Sequence, residues 1–139
     1  MKLKEGCVKS KLWFEILAGS KETAEKSLKE HVKKIETIDG VEILDKKFEE
    51  TIEVKKLPEK FKLMKLKKAF SKIAEVTLVT DSVEKLLLVV MLFGPSGVEI
   101  LEPKEFKLSL ATVQTIMNSV ADMMHRFAAS SVGGVMIKA

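Results

Sequence analysis

The apolar positions change period several times along this chain, and each change marks an element. Leu12–Ala18, LWFEILA, is apolar on both faces, which predicts a central strand of a sheet; the polar residues 1–9 ahead of it read as a loose leader. Gly19-Ser20 closes the strand, and Ser20 is placed to cap a helix from Lys21 to about Ile38. Its buried stripe is Ala24, Leu28, His31 or Val32, and Ile35, with lysine and glutamate elsewhere. After the Asp39-Gly40 stop, Val41–Val54 is extended, with Val41 and Ile43 in one phase and Phe48, Glu50, Ile52 and Val54 in another. The slip near Asp45-Lys46 predicts a bulge or two short strands. Ser71–Thr80 alternates cleanly, with Ala74, Val76 and Leu78 on one face.

The most decisive stretch is Asp81–Pro103. Asp81 or Ser82 caps a helix, Gly94 supplies a left-handed terminus, and Pro95 bars continuation. Val83, Leu86, Leu87, Val90 and Met91 share one helical face, while Leu88, Val89, Leu92 and Phe93 make a second one. A helix apolar around its girth needs cover on two sides. Val98–Leu101 is the following strand, and Glu105–Leu108 reads as a short extended tail. Ser109 caps a last helix to about Ala129, whose stripe is Val113, Ile116, Met117, Val120, Met124 and Phe127. Val135–Ile137 is a candidate edge strand beyond it, in an otherwise loose stretch 130–139.

This order predicts an α+β fold: a ferredoxin-like β-α-β-β-α-β antiparallel sheet with an additional C-terminal helix, in one domain over residues 1–139. Lys55–Phe70 interrupts it as an insertion, in which Pro58 opens a short helix carrying Leu57, Phe61 and Met64. At 139 residues and 46% hydrophobic composition, the chain can bury one real core.

Val76–Phe127 resembles the ferredoxin-like C-terminal extension of WYL-domain transcriptional regulators. The likeness rests on the strand Val76–Thr80, the leucine-rich helix ending Phe93-Gly94-Pro95, the strand and turn Val98-Glu99-Ile100-Leu101-Glu102-Pro103, and the closing amphipathic helix. The resemblance implies an architecture and a role in oligomerisation or effector sensing. The chain shows neither a helix-turn-helix nor a WYL core, so no functional residue is carried over.

Composition narrows the chemistry. No apolar run reaches the roughly 18 residues that cross a bilayer. The first residues, MKLKEGCVKSK, lack a hydrophobic export core, so the expectation is a cytoplasmic protein with no membrane partner. A lone Cys7 gives neither a disulfide framework nor a cysteine zinc site within one subunit. His31 and His125 sit in no HxxxH or HExxH pattern; His125 with Asp122 is one conceivable ligand pair. No GxSxG elbow appears. Gly94-Pro95-Ser96-Gly97 follows a helix rather than opening one, the reverse of a phosphate cradle. Glu49, Glu50, Glu53, Glu99 and Glu102 lie on or near strands, where lysines across the sheet are their natural partners. The expectation is therefore no catalytic residue, no metal and no cofactor.

Two surfaces remain. Lys55, Lys56, Lys60, Lys62, Lys65, Lys67, Lys68 and Lys72 crowd one segment with Phe61 and Phe70 between them, a candidate nucleic-acid footprint; an amphipathic version would instead suit an anionic membrane surface. Arg126 is the only arginine, the net charge is +4, and the strands lack RNP-type aromatics, which weakens that reading. Leu88, Leu92, Phe93, Met117, Met124 and Phe127 form a candidate interface for homo-oligomerisation, a protein partner or a small ligand. A non-enzymatic interaction module is the leading expectation, and the nucleic-acid binder is its alternative.

Overall fold

The computed structural model describes residues 3–129. The elements run β1 (Val8–Ala18), α1 (Lys21–Glu36), β2 (Val41–Phe48), β3 (Ile52–Glu53), α2 (Glu59–Leu63), β4 (Phe70–Thr80), α3 (Val83–Phe93), β5 (Gly97–Glu102) and α4 (Leu110–Ala129). The chain divides after Lys104 into two units. The first is an α+β sheet unit; of the second, the described part consists of α4 and the irregular segment leading into it.

In the first unit the strands form one antiparallel sheet in the order β2-β4-β1-β5, with β3 also paired to β4. The period-2 pattern decides which face is buried. Val8, Ser10, Leu12 and Phe14 of β1 and Ala74, Val76, Leu78 and Thr80 of β4 point one way and are all buried. Ala24, Leu28, Val32 and Ile35 of α1 and Leu86 and Val89 of α3 close over that face. Removing each such leucine or valine from water stabilises the fold by about 1.5–3 kcal/mol before entropy is charged. The opposite face carries Lys9, Lys11, Trp13, Ile73, Glu75, Thr77 and Val79, all half-buried. There Lys11 Nζ lies 3.4 Å from Glu75 Oε1.

The helix ends follow the predicted caps. Ser20 Oγ accepts from Thr23 N–H (3.2 Å), Ser82 Oγ from Lys85 N–H (3.0 Å), and Ser109 Oγ from Thr112 N–H (3.1 Å). Gly94 takes a left-handed conformation with φ 56°, as a terminus without a Cβ allows.

Several boundaries depart from the sequence reading. β1 begins at Val8, not Leu12, so the end of the expected loose leader lies in the sheet. Alternation explains this: Lys9 and Lys11 stand on the open face while Val8 and Ser10 are fully buried. The register slip falls between Ile43 and Asp45, one step before the expected place, and the extended stretch does divide, into β2 and β3. α1 stops at Glu36, and 105–108 forms no strand. Leu86 and Val89 of α3 are buried in the core, and Val83, Val90 and Phe93 pack against it half-buried, turned from the expected phase; Leu87 and Met91 are half-buried too. The candidate strand at 135–137 lies outside the described residues.

Candidate functional site

The lysine segment forms an arm between β3 and β4. Its base is closed by the bond from Val54 N–H to the Ala69 carbonyl (2.8 Å), and Ala69 is fully buried. The arm is pinned to the β1–α1 corner as well: a Cβ on Gly19 would meet Leu66 Cδ2 at 3.1 Å. Its outer turn is held by three backbone bonds, Met64 N–H to Lys60, Lys65 N–H to Lys62 and Leu66 N–H to Phe61. Lys65 sits at φ 60°, which closes the turn in the left-handed region.

This geometry sorts the side chains. Leu57, Phe61 and Leu66 are half-buried. Leu63 is 85% and Met64 61% exposed. Of Leu57, Phe61 and Met64, expected on one short helix, only Phe61 lies within α2, which ends at Leu63. Lys55, Lys56, Lys60, Lys62, Lys65, Lys67 and Lys68 are all exposed. Lys72 is separate: it lies on β4 opposite Ile16 and is half-buried. Phe61 and Phe70, expected to interleave with the lysines, are both half-buried.

Exposed apolar residues also lie on α3 and on the edge strand β5. Leu92 is 61% and Leu88 37% exposed. β5 pairs only with β1 among the described residues, so its outer backbone edge is open. Val98 pairs with Leu12 and Ile100 with Ser10, which places both on the helix-bearing face, yet both are exposed. Phe93, grouped with Leu88 and Leu92 from the sequence, turns inward and packs against the core.

Phe93 also closes a contact the sequence did not signal. His31 of α1 stands edge-on between Phe14 and Phe93, with ring centroids 5.4 and 5.3 Å away. Its Nε2–H donates to the Phe93 carbonyl at 2.7 Å, satisfying one of the free carbonyls at the end of α3. The histidine is a tie between two helices, 62 residues apart in sequence.

In the second unit, no residue of α4 is buried. Met117, Val120, Met123, Met124 and Phe127 are exposed along it, and Val113 and Ile116 are half-buried. His125 is exposed, and Asp122 pairs with Arg126 (3.2 Å) rather than with the histidine.

The remaining polar groups pair locally where they are described. Among the described residues no group of three histidine, cysteine, aspartate or glutamate side chains is placed to hold a metal ion. Ser96 N–H and Oγ–H both donate to the Trp13 carbonyl (2.7 and 3.2 Å), and a Cβ on Gly97 would lie 3.3 Å from the Trp13 ring. Gly94–Gly97 is thus a turn clamped onto β1. Of the carboxylates, Glu99 lies across from Lys11 and Glu102 across from Lys9. A shallow depression on α1 is lined by Glu22, Glu25, Lys26, Lys29, Glu30 and Lys33, the charged outer face of that helix. No described helix is long and apolar enough to cross a membrane.

No curated protein and no solved structure matches the chain. A family model does, over residues 9–138, which takes in the sheet unit, the lysine arm and α4 alike. The chain belongs to the MJ0538 family.

Proposed function

We propose that this protein is a non-enzymatic interaction module that works by self-association in the cytoplasm. The observation that carries the reading is the exposure of Leu88 and Leu92 on α3 and of Val98 and Ile100 on the open strand β5. Exposed aliphatic side chains beside an unpaired strand edge favour a second polypeptide chain, because an added strand satisfies the free backbone groups and covers the side chains together. The strand order β2-β4-β1-β5, with α1 and α3 on one face, supports a ferredoxin-like arrangement. The exposed methionines of α4 add adaptable apolar surface.

A second reading, nucleic-acid binding through the arm, is favoured by the exposure of its seven lysines and opposed by the partial burial of Phe61 and Phe70.

Light scattering over a range of protein concentrations tests the first reading. The expected result is a dimer or larger species that dissociates on dilution. The double variant Leu92→Ser/Val98→Ser should stay monomeric at every concentration while keeping its far-UV circular dichroism. A monomeric parent protein would overturn the proposal.

A further inference from the structure

Leu63 and Met64 are the arm's outermost apolar residues, and no need of the fold accounts for them. The arm already has an inward anchor set, Leu57, Phe61, Leu66 and the buried Ala69. Leu63 lies two residues after Phe61 on α2, about 200° around the helix axis. The short helix therefore directs Phe61 toward the protein and Leu63 away from it. Lys60, Lys62, Lys65 and Lys67 bracket this tip in sequence, and all four are exposed. Residues 55–68 hold seven lysines against one acidic residue, Glu59. The three backbone bonds of the outer turn and the closed base hold the tip in place.

We propose that this tip docks on an anionic lipid surface, with Leu63 and Met64 entering the headgroup–acyl boundary and the lysines lying against phosphate and carboxylate headgroups. Charge complementarity selects the class of partner. Lysine meets a dense anionic surface as a point charge on a long apolar stem, which suits a headgroup layer. Aliphatic residues exposed at the centre of a basic rim suit the acyl boundary. Nucleic acid fits less well: single strands are held by aromatic stacking, and here the two phenylalanines are half-buried while leucine and methionine face out. This is attachment at a surface, by a segment far too short to span a bilayer, and it departs from the expectation of no membrane partner. It does not depend on self-association, because the tip and the β5 edge are different elements.

The test is co-sedimentation of the full chain with vesicles of phosphatidylcholine alone and of phosphatidylcholine mixed in equal parts with phosphatidylserine. Binding to the mixed vesicles only is expected. Leu63→Ser/Met64→Ser should weaken it about tenfold by removing apolar contact without changing charge. Lys60→Gln/Lys62→Gln/Lys67→Gln should weaken it by roughly a hundredfold, at about fivefold per lysine near the surface. Both variants should keep the parent's circular dichroism and its oligomeric state in light scattering, so failure of this proposal reads separately from failure of self-association. Absence of binding to the mixed vesicles would overturn it. So would a Leu63→Ser/Met64→Ser variant that binds them as the parent does, with a polynucleotide bound through the same lysines; that result would assign the arm to nucleic acid.

Discussion

α1 and α3 lie on the same face of the same sheet and contribute to one core, but they divide their apolar residues differently. α1 has few, spaced at Ala24, Leu28, Val32 and Ile35, and buries every one; its outer face is lysine and glutamate. α3 has an excess, buries Leu86 and Val89 fully, and leaves Leu88 and Leu92 exposed. Hydrophobicity alone therefore does not determine burial here. Position on the helix relative to the sheet does, and the apolar residues beyond that stripe stay exposed. The largest effect that could break this comparison is expected at Leu28. Leu28→Ala should destabilise the protein by about 3 kcal/mol, read as a lower urea midpoint at fixed protein concentration, because it leaves a cavity between α1 and the sheet. A cost under about 1 kcal/mol would mean that α1 is not the structural partner it appears from its pattern to be.

The two helices are also joined directly, through His31 and the Phe93 carbonyl. His31→Ala should cost about 2 kcal/mol, since it removes two ring-edge contacts and leaves a helix-end carbonyl without its donor. His31→Phe should recover part of that loss through ring packing while still lacking the bond. Equal midpoints for the parent and His31→Ala would show that the tie contributes nothing to holding α3 against α1.

Much of this architecture can be read from the sequence because local signals repeat one another. Ser20, Ser82 and Ser109 cap helices where a polar residue precedes an apolar period, and Gly94 ends α3 where a left-handed residue is needed. The misreadings have physical reasons. In β1, Lys9 looks like the end of a polar leader until its strand partner Val79 reveals an open sheet face. In α3, apolar residues on nearly every side leave the phase undetermined, so Phe93 is assigned to an interface when it belongs against the core. The His31–Phe93 contact spans 62 residues, and no short-range pattern encodes it. The lysine arm is plain as composition. Phe61 and Leu63 are turned apart by the short helix α2, whose end at Leu63 the sequence does not announce.

A smaller effect separates the middle of the sheet from its edge. Ser10 is fully buried on β1, between Leu78 on β4 and Ile100 on β5, and its Oγ has no hydrogen-bond partner among the described residues. Burying an unpartnered hydroxyl is unfavourable, so Ser10→Ala should be neutral or stabilising by up to about 1 kcal/mol. A loss of more than that in the urea midpoint would reveal a partner for the hydroxyl on the β5 side, such as a bound water, and would make this edge more polar than its side chains suggest.

The smallest effect returns to the two helices and separates their roles most sharply. Leu92→Ala removes the same atoms as Leu28→Ala, but from a side chain 61% exposed rather than fully packed. At high dilution the variant's urea midpoint should lie within about 0.5 kcal/mol of the parent's, as for other surface substitutions. If a second copy covers Leu92, the parent's midpoint rises with protein concentration, because association stabilises the folded state by mass action. The variant's rise should be weaker. The same leucine truncation would then act on folding in α1 and on assembly in α3, which is the expected consequence of a core stripe complete in one helix and overfilled in the other. Midpoints independent of concentration in both proteins would instead make the apolar surplus of α3 a tolerated surface feature, leaving α1 and α3 different in composition but not in role.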